Sequence, residues 1–290
     1  MEFYDWLLYA WIGSGLLVFP VLLLVSAPYG RHLRTGWGPT LPSNWGWVIQ
    51  ESPSFFIMAG YGAQWLRRRT WKGVQDVRSA EWMTLLLAGC WLVHYANRAF
   101  VFPLRMRGGS KPTTWVVVST AILFCVYNTY LNAYALFVRE EVVRSGRGVD
   151  ASLVMGVAMW AVGWAVNYHS DDITRQLRRA RDRSAKAGTH YAIPYGGMFR
   201  YISAPNYFGE WVEWCGFALA ARTRTAWSFA LWTFCNLYPR ARTNHQWYLA
   251  TFPEYAKLHR NAFFPDPSRR LASRQPRPRT RRAATSGRRR

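Results

Sequence analysis

The sequence is poor in acidic residues and in cysteine. Its 290 residues include 15 Asp and Glu against 37 Lys and Arg, so the formal net charge is +22. Four cysteines are too few for a disulfide scaffold in a chain of this length. None of them has the CxxC spacing typical of a metal site, so we interpret all four as buried packing residues and predict no metal.

The sequence also lacks the nucleotide-binding motifs of soluble enzymes. Gly60-Tyr61-Gly62 does not continue as GxGxxG, and no βαβ pattern surrounds it. It contains no P-loop, HExxH or GxSxG motif either. A dinucleotide cofactor would therefore have to be held by helices and loops.

The positive charge is concentrated at the C-terminus. Ten Arg and no acidic residue follow Asp266. This pattern predicts a disordered Arg-rich tail over 267–290, which would contact anionic lipid headgroups. The remaining domain, 1–266, is rich in apolar and aromatic residues, and the whole chain contains 17 Trp. That content excludes a disordered chain and argues against a nucleic-acid-binding protein.

Long apolar runs dominate the 1–266 domain. A bilayer core needs about 20 apolar helical residues to cross it. We predict an all-α, multi-pass integral membrane protein with about seven transmembrane helices that enclose a cofactor and substrate cavity. We expect a monomer, in the endoplasmic reticulum membrane of a eukaryote or the inner membrane of a bacterium. The predicted spans are 3–27, 45–65, 82–104, 114–138, 151–166, 207–221 and 225–238.

Two predicted spans carry polar groups that are costly in hydrocarbon. Gln50 and Glu51 lie between WGWVI and PSFFIM, and this placement favours a function over a solvated carboxylate at the interface. Tyr95 and Arg98 are three residues apart and share a helix face with each other. A purely structural hydrogen bond of the Tyr95 hydroxyl remains an alternative.

A third polar segment, NYHSDDITRQLRR, leaves the fifth predicted span. Asn167, Asp171, Arg175 and Arg178 recur there at helical spacing. Arg is suited to phosphate, whereas Asn and Asp can hydrogen-bond hydroxyl or amide groups. The alternative is an ordinary basic helix end.

Two more polar segments follow. The stretch 191–213 starts with Tyr191 and contains Pro and Gly-Gly, so we expect irregular backbone before the sixth span. Asn206 is a candidate N-cap of that helix, with Glu210 one turn later. After the last span, the segment PRARTNHQWY contributes polar and aromatic side chains, which are those of Arg240, His245 and Tyr248.

These segments resemble the steroid 5-alpha-reductase family over nearly the whole chain apart from the tail. The matching phrases are QESPSF, HYANRAFVFP, NYHSDDITRQLRR, YAIPYGGMFRYISAPNYFGEWVEWCGFAL, PRARTNHQWY and FPEYAKLHRNAFFP. The resemblance implies a seven-helix membrane oxidoreductase that uses NADPH. Such enzymes reduce the 4,5 double bond of a 3-oxo-4-ene steroid, or of a related enone lipid, by hydride transfer to the carbon β to the carbonyl.

The resemblance also implies roles for individual residues. Glu51 and Tyr95 would polarise the substrate carbonyl, because donors must face the oxygen on which charge develops. Trp47 and Gln50 would line the substrate cavity with them. The residues expected to bind the cofactor are Arg98, Asn167, Asp171, Arg175, Arg178, Tyr191, Asn206, Glu210, Arg240, His245 and Tyr248.

Two other functions compete with the reductase. The first is a membrane methyltransferase that modifies a lipid or isoprenyl substrate with S-adenosylmethionine, but methyl transfer needs no carbonyl-polarising pair. The second is a non-enzymatic membrane adaptor that uses the basic tail, which leaves Glu51 unexplained.

Overall fold

The structure is a computed structural model that describes residues 2–25, 36, 38–71, 79–106, 112–183, 191–266 and 268. Apart from Ser268, the predicted tail over 267–290 lies outside the described residues. The α-helices are α1 Phe3–Leu24, α2 Ser43–Trp71, α3 Ser79–Ala96, α4 Phe102–Arg105, α5 Trp115–Phe137, α6 Glu141–Arg144, α7 Ala151–Arg183, α8 Pro205–Ala221 and α9 Arg224–Thr251. A π-helical turn covers Asn97–Val101, and 3-10 turns cover Gly197–Arg200 and Tyr255–Leu258.

The all-α prediction is confirmed, with one small addition that it did not include. Strands β1 (Thr40–Pro42) and β2 (Pro112–Thr114) form an antiparallel pair in which Thr40 lies opposite Thr114. Each strand leads directly into a helix, because α2 follows β1 and α5 follows β2. The pair therefore ties together the first turns of two helices that pack against each other.

Within the described residues, four stretches of helix are long and apolar enough to cross a membrane. They are Phe3–Leu24, Glu81–Arg105, Trp115–Arg144 and Ala151–Arg179. The other three predicted spans fall on α2, α8 and α9. Helix α8 has 17 residues and is about 25 Å long, which is shorter than a bilayer core. Polar residues interrupt α2 and the second half of α9.

Two predicted boundaries differ from the observed helices. The fifth predicted span ends at Val166, but α7 continues without a break to Arg183. The third predicted span contains a π-helical turn directly after α3, although the helix continues through it to Arg105. Pro103 lies just after this turn and has no N–H to donate one turn back, so the helical hydrogen-bond pattern is disturbed here.

Glycines let α7 and α8 approach very closely. A Cβ added to Gly209 would lie 2.6 Å from the backbone nitrogen of Asn167 and 2.7 Å from the carbonyl oxygen of Gly163. A Cβ on Gly156 would lie 2.5 Å from the backbone nitrogen of Ala220. Any larger residue would push the helices apart. This contact is what brings the polar end of α7 against the start of α8.

An aromatic cluster fills the space between α3, α8 and α9. The ring of Trp91 lies 5.1 Å from that of Trp214 and 5.3 Å from that of Phe229. Trp91 and Trp214 are almost fully buried. The cluster holds the C-terminal end of α3, which carries Tyr95, against α8.

Candidate functional site

Glu51 lies on α2 and is held by two neighbouring side chains. The Gln50 amide donates to its Oε1 at 3.1 Å, and the Cys125 thiol on α5 lies 3.6 Å from its Oε2. Glu51 is only partly exposed. The carboxylate is thus oriented by an amide and a thiol, and no guanidinium is bonded directly to it in the described residues.

Tyr95 lies on α3 and is buried against aromatic rings. Its ring is 5.2 Å from that of Trp91, and its hydroxyl lies near Ser54 on α2. The Ser54 hydroxyl is also 3.4 Å from the carbonyl oxygen of Cys125, the residue whose thiol contacts Glu51. Glu51 and Tyr95 therefore converge on the same pair of neighbours, Ser54 and Cys125.

A buried pair of titratable groups lies behind Tyr95. The Nδ1 atom of His94 is 2.7 Å from Oε1 of Glu213, and the His94 ring packs 4.9 Å from that of Tyr95. Glu213 is fully buried, and its Oε2 has no hydrogen-bond partner among the described residues. Sequence reasoning gave Glu213 no role. Its spacing of three residues from Glu210 on one helix was the available signal.

Arg98 is the centre of a hydrogen-bonded network between three elements. From the π-helical turn, its guanidinium donates to Asp171 on α7 and to Glu210 on α8, both at 3.1 Å. The Asn167 amide donates to Oε2 of Glu210 at 3.3 Å, and Asn206 donates to Asp171 at 3.0 Å. The structure thus brings together five of the residues predicted to bind a cofactor.

The prediction that Asn206 is the N-cap of α8 is wrong. The helix begins at Pro205 after Ala204, so Asn206 lies inside its first turn. Its side chain bonds to Asp171, and its carbonyl oxygen accepts from the Asn167 amide at 3.0 Å. Asn206 therefore joins α8 to α7, because the close approach of the two helices places the Asp171 carboxylate within its reach.

Trp47 connects this network to the neighbourhood of Glu51. The Arg98 guanidinium lies 4.8 Å from the centre of the Trp47 ring, which also packs edge-on against Phe102 at 5.3 Å. A cation over an aromatic face is stabilised by the ring quadrupole. Trp47 stands one turn before Glu51 on α2, so the ring places the network beside the carboxylate.

Basic residues outnumber acidic ones on the next turns of α7. Arg175 and Arg105 both pair with Asp172, and Arg179 donates to the carbonyl oxygen of Arg105 at 3.3 Å. Arg178 is exposed on the same helix. Two guanidiniums thus share one carboxylate and a third bonds to a backbone carbonyl oxygen, which leaves a local excess of positive charge.

His245 and Tyr248 belong to a separate group of contacts at the end of α9. The Ser203 hydroxyl lies 2.6 Å from Nδ1 of His245 and accepts from the Tyr255 hydroxyl at 2.7 Å. The rings of Tyr248 and Tyr255 are stacked 4.8 Å apart. Burial raises the pKa of the Tyr255 hydroxyl, while Ser203 and Arg260 act in the opposite direction.

The two remaining predicted cofactor residues flank this group. The Tyr191 ring meets Trp247, the neighbour of Tyr248, edge-on at 4.9 Å. Arg240 lies one turn before Asn244 on α9 and places its guanidinium 5.0 Å from the ring of Tyr207 on α8. These contacts extend a polar and aromatic surface along α9.

Comparisons with known proteins identify the family. Residues 111–266 match the family described as 3-oxo-5-alpha-steroid 4-dehydrogenase. The chain belongs to the steroid 5-alpha-reductase family. It is 38% identical to 3-oxo-5-alpha-steroid 4-dehydrogenase 1 of Bos taurus over 263 residues, which cover 88% of this chain and 94% of that protein. The human protein of the same name is 36% identical over 254 residues, covering 88% and 92%.

A plant relative extends the similarity beyond animals. The steroid 5-alpha-reductase DET2 of Arabidopsis thaliana is 31% identical over 271 residues, which cover 91% of this chain and 96% of that protein. Membership of the steroid 5-alpha-reductase family confirms the predicted class of oxidoreductase. It does not favour the methyltransferase or the adaptor.

Proposed function

We propose that this chain reduces the 4,5 double bond of a 3-oxo-4-ene steroid, or of a related enone lipid, with NADPH. The observation that carries the proposal is the convergence of Glu51 and Tyr95 on Ser54 and Cys125. A carboxyl group and a phenol from different helices are the kind of pair that polarises a carbonyl. The relatives named for steroid reduction support the substrate class.

The two residues act on the carbonyl oxygen. Negative charge develops there when the carbon β to the carbonyl receives hydride, and hydrogen bonds aimed at that oxygen lower the barrier. Tyr95 supplies one hydrogen bond through its hydroxyl, and the Glu51 carboxyl group supplies the second. A proton from solvent is then added at the α carbon. Gln50 and Trp47 restrict the position of Glu51 and of the substrate beside it.

The polar groups of α7, α8 and α9 fit a dinucleotide. When bound, NADPH supplies the hydride, and the protein orients and polarises the substrate. Asn167, Asp171, Asn206 and Glu210 offer amide and carboxylate groups suited to a carboxamide or a ribose, with Arg98 holding the two acids in place. Arg175 and Arg178 belong to the positive region that suits a pyrophosphate. Tyr191, Arg240, His245 and Tyr248 complete the set of binding residues.

We further propose that the domain over 1–266 crosses the membrane about seven times as a monomer, with α2, α8 and α9 shielded by the four more apolar stretches. The Arg-rich tail over 267–290 would lie on anionic headgroups. The membrane is that of the endoplasmic reticulum or the bacterial inner membrane.

The test is turnover of a 3-oxo-4-ene steroid by the purified protein in nanodiscs with NADPH, followed by mass spectrometry. We expect a product heavier by two hydrogens. Glu51→Gln and Tyr95→Phe should each lower turnover about 100-fold or more, because Phe removes one donor to a developing oxyanion and Gln replaces an acidic O–H with a weaker amide donor.

Matched substitutions at the N-cap of α1 and within it provide the control. Glu2→Gln and Tyr9→Phe change the same chemical groups at exposed positions and should leave turnover unchanged. Near-normal turnover by both Glu51→Gln and Tyr95→Phe would refute the catalytic assignment. Absence of a reduced product with any enone would refute the function.

A further inference from the structure

Two side-chain bonds connect α8 to the segment that carries Tyr95. The Nδ1 atom of His94 is 2.7 Å from Oε1 of Glu213. Three residues after Tyr95, the Arg98 guanidinium donates to Glu210 at 3.1 Å. Because His94 comes directly before Tyr95, the two bonds lie on either side of this residue along the chain. The bond of Arg98 belongs to the network described above, whereas the bond of His94 has no part in the reaction as described so far.

The backbone between these two bonds departs from a regular α-helix. Helix α3 ends at Ala96, and the π-helical turn begins at Asn97. Such turns are rare and occur frequently at functional sites. The bonds of His94 and Arg98 to α8 therefore hold the chain on both sides of a local change in helical geometry.

Glu213 provides a fixed anchor for His94. Its side chain is fully buried on α8. Helix α7 approaches here so closely that a Cβ added to Gly163 would lie 2.7 Å from the Cα atom of Glu213 and 2.6 Å from the carbonyl oxygen of Gly209. The main chain of Glu213 therefore cannot move toward α7, and its carboxyl group meets His94 from a rigid base.

The ring of His94 passes this restraint on to Tyr95. It meets the Tyr95 ring edge-on at a centroid distance of 4.9 Å and the Trp214 ring at 4.7 Å. The Tyr95 ring also packs 5.2 Å from that of Trp91. A hydrogen bond at Nδ1 fixes the orientation of the imidazole, and side chains packed at this density cannot shift independently of one another.

Stability does not explain a carboxyl group at this position. The Oε2 atom of Glu213 has no hydrogen-bond partner among the described residues. A buried carboxyl group that is only partly bonded costs free energy, and apolar residues of similar volume often replace a buried polar pair without loss of stability. A requirement for fixed geometry beside Tyr95 accounts for this cost.

We propose that His94 and Glu213 are positioning residues for the reduction, and that their bond holds the Tyr95 hydroxyl at the place of the substrate carbonyl oxygen. The inference rests on the function proposed above. Misplacement of a reacting group by about 1 Å can cost roughly 100-fold in rate. The pair therefore acts on the chemical step and not on the affinity for the steroid.

The first experiment compares two substitutions of Glu213 in steady-state turnover of a 3-oxo-4-ene steroid with NADPH, using the purified protein in nanodiscs. Glu213→Leu removes the bond and should lower kcat about tenfold or more, with KM for the steroid changed by less than about threefold. Glu213→Gln should keep kcat within about threefold of the wild type, because an amide can donate to or accept from either tautomer of His94.

The second experiment separates positioning from stability. Glu213→Leu alone leaves the His94 imidazole buried without its partner, so Tm should fall. The double variant His94→Leu/Glu213→Leu removes both polar groups, so its Tm should return toward that of the wild type. Its kcat should remain low, because the bond is still absent. If kcat recovers together with Tm, the pair is merely structural.

Glu81 provides the matched control. It is a buried carboxylate on α3 that pairs with Arg69 on α2, about 20 Å of helix away from Tyr95. Glu81→Leu should lower Tm, because it breaks a buried ion pair, and should leave kcat unchanged. A loss of kcat in this variant as large as that in Glu213→Leu would mean that any destabilisation slows the enzyme, and would overturn the proposal.

The third experiment repeats the substitution without the hydroxyl that the pair is proposed to hold. In a Tyr95→Phe background, Glu213→Leu should cause no further loss of kcat, because no hydroxyl remains to be placed. An equal further loss, or a loss seen in KM alone, would overturn the positioning role. Normal kcat in Glu213→Leu would refute this inference only, whereas absence of a reduced product with the wild type would refute the proposed function itself.

Discussion

Arg98 and Arg260 are both buried guanidiniums, but they differ in their partners. Arg98 donates to two carboxylates, Asp171 and Glu210, which are themselves bonded to amides. Arg260 has two tyrosine rings beside it and two nitrogens without an acceptor in the described residues. The paired charges around Arg98 hold three helical elements together. The unpaired charge of Arg260 leaves two nitrogens that can still donate to another group.

The difference separates a structural use of arginine from a recognition use. A buried ion pair that loses one member leaves the other charge stranded, so its disruption is costly. Removal of a buried cation that has no partner leaves no other charge uncompensated. The same substitution should therefore destabilise the two regions to very different extents, and stability measurements can test this directly.

The largest effect is expected from Arg98→Met. Its loss leaves Asp171 and Glu210 buried without a cation, so the free energy of unfolding should fall by about 3–5 kcal/mol. Thermal unfolding in detergent with a thiol-reactive dye, together with chemical unfolding, would measure it. Arg222→Met, which removes an exposed partner of Asp150, should change Tm little. A comparable change in both variants would contradict the structural role of Arg98.

A second way to break the paired region is to separate its helices. Gly209→Ala places a methyl group against the backbone of α7 and should cost about 1–3 kcal/mol through overpacking. Gly60→Ala on α2 is the control, because nothing lies within 4 Å of its added Cβ. The control should be neutral or slightly stabilising, since Ala favours helix over Gly. If both variants unfold alike, the close approach of α7 and α8 is not required.

The unpaired region should tolerate loss of its charge. Arg260→Met should change the free energy of unfolding of the ligand-free protein by no more than about 1 kcal/mol, because lost ring contacts offset the relief of a buried charge. The same unfolding assay serves, with Arg98→Met measured in parallel. A loss as large as that of Arg98→Met would assign Arg260 a structural role.

The smallest effect concerns a charge at the solvent-exposed start of α7. Bonds from the Ser152 hydroxyl and the Leu153 amide lower the pKa of Asp150 below its usual 3.8. A lowered pKa in the folded state stabilises the protein above the unfolded value, and this contribution disappears as pH falls through the folded value. The Tm difference between wild type and Asp150→Asn should therefore be present at pH 7 and shrink below pH 3.8. A pH-independent difference would contradict this.

Sequence reasoning recovered the helical class and the residues of the Arg98 network, since helical spacing placed Asn167 and Asp171 on one face. It did not recover the partners that come from distant helices. Cys125 contacts Glu51 and Ser54 because α5 packs against α2. Glu213 bonds to His94 because α8 packs against α3. Arg260 was also missed, because a single Arg in a basic C-terminal region carries no sequence signal of its burial.

The π-helical turn over Asn97–Val101 sets the direction in which the side chains after it point from the helix axis. A π turn holds one residue more than an α-helical turn, so the following residues are rotated by about 100° relative to an uninterrupted helix. Deleting one residue here would restore regular helix but turn Phe102 away from Trp47 and Arg105 away from Asp172. The orientation of the following side chains thus depends on the number of residues in this segment and not on any single side chain. A one-residue deletion should therefore destabilise the protein more than most substitutions within the segment.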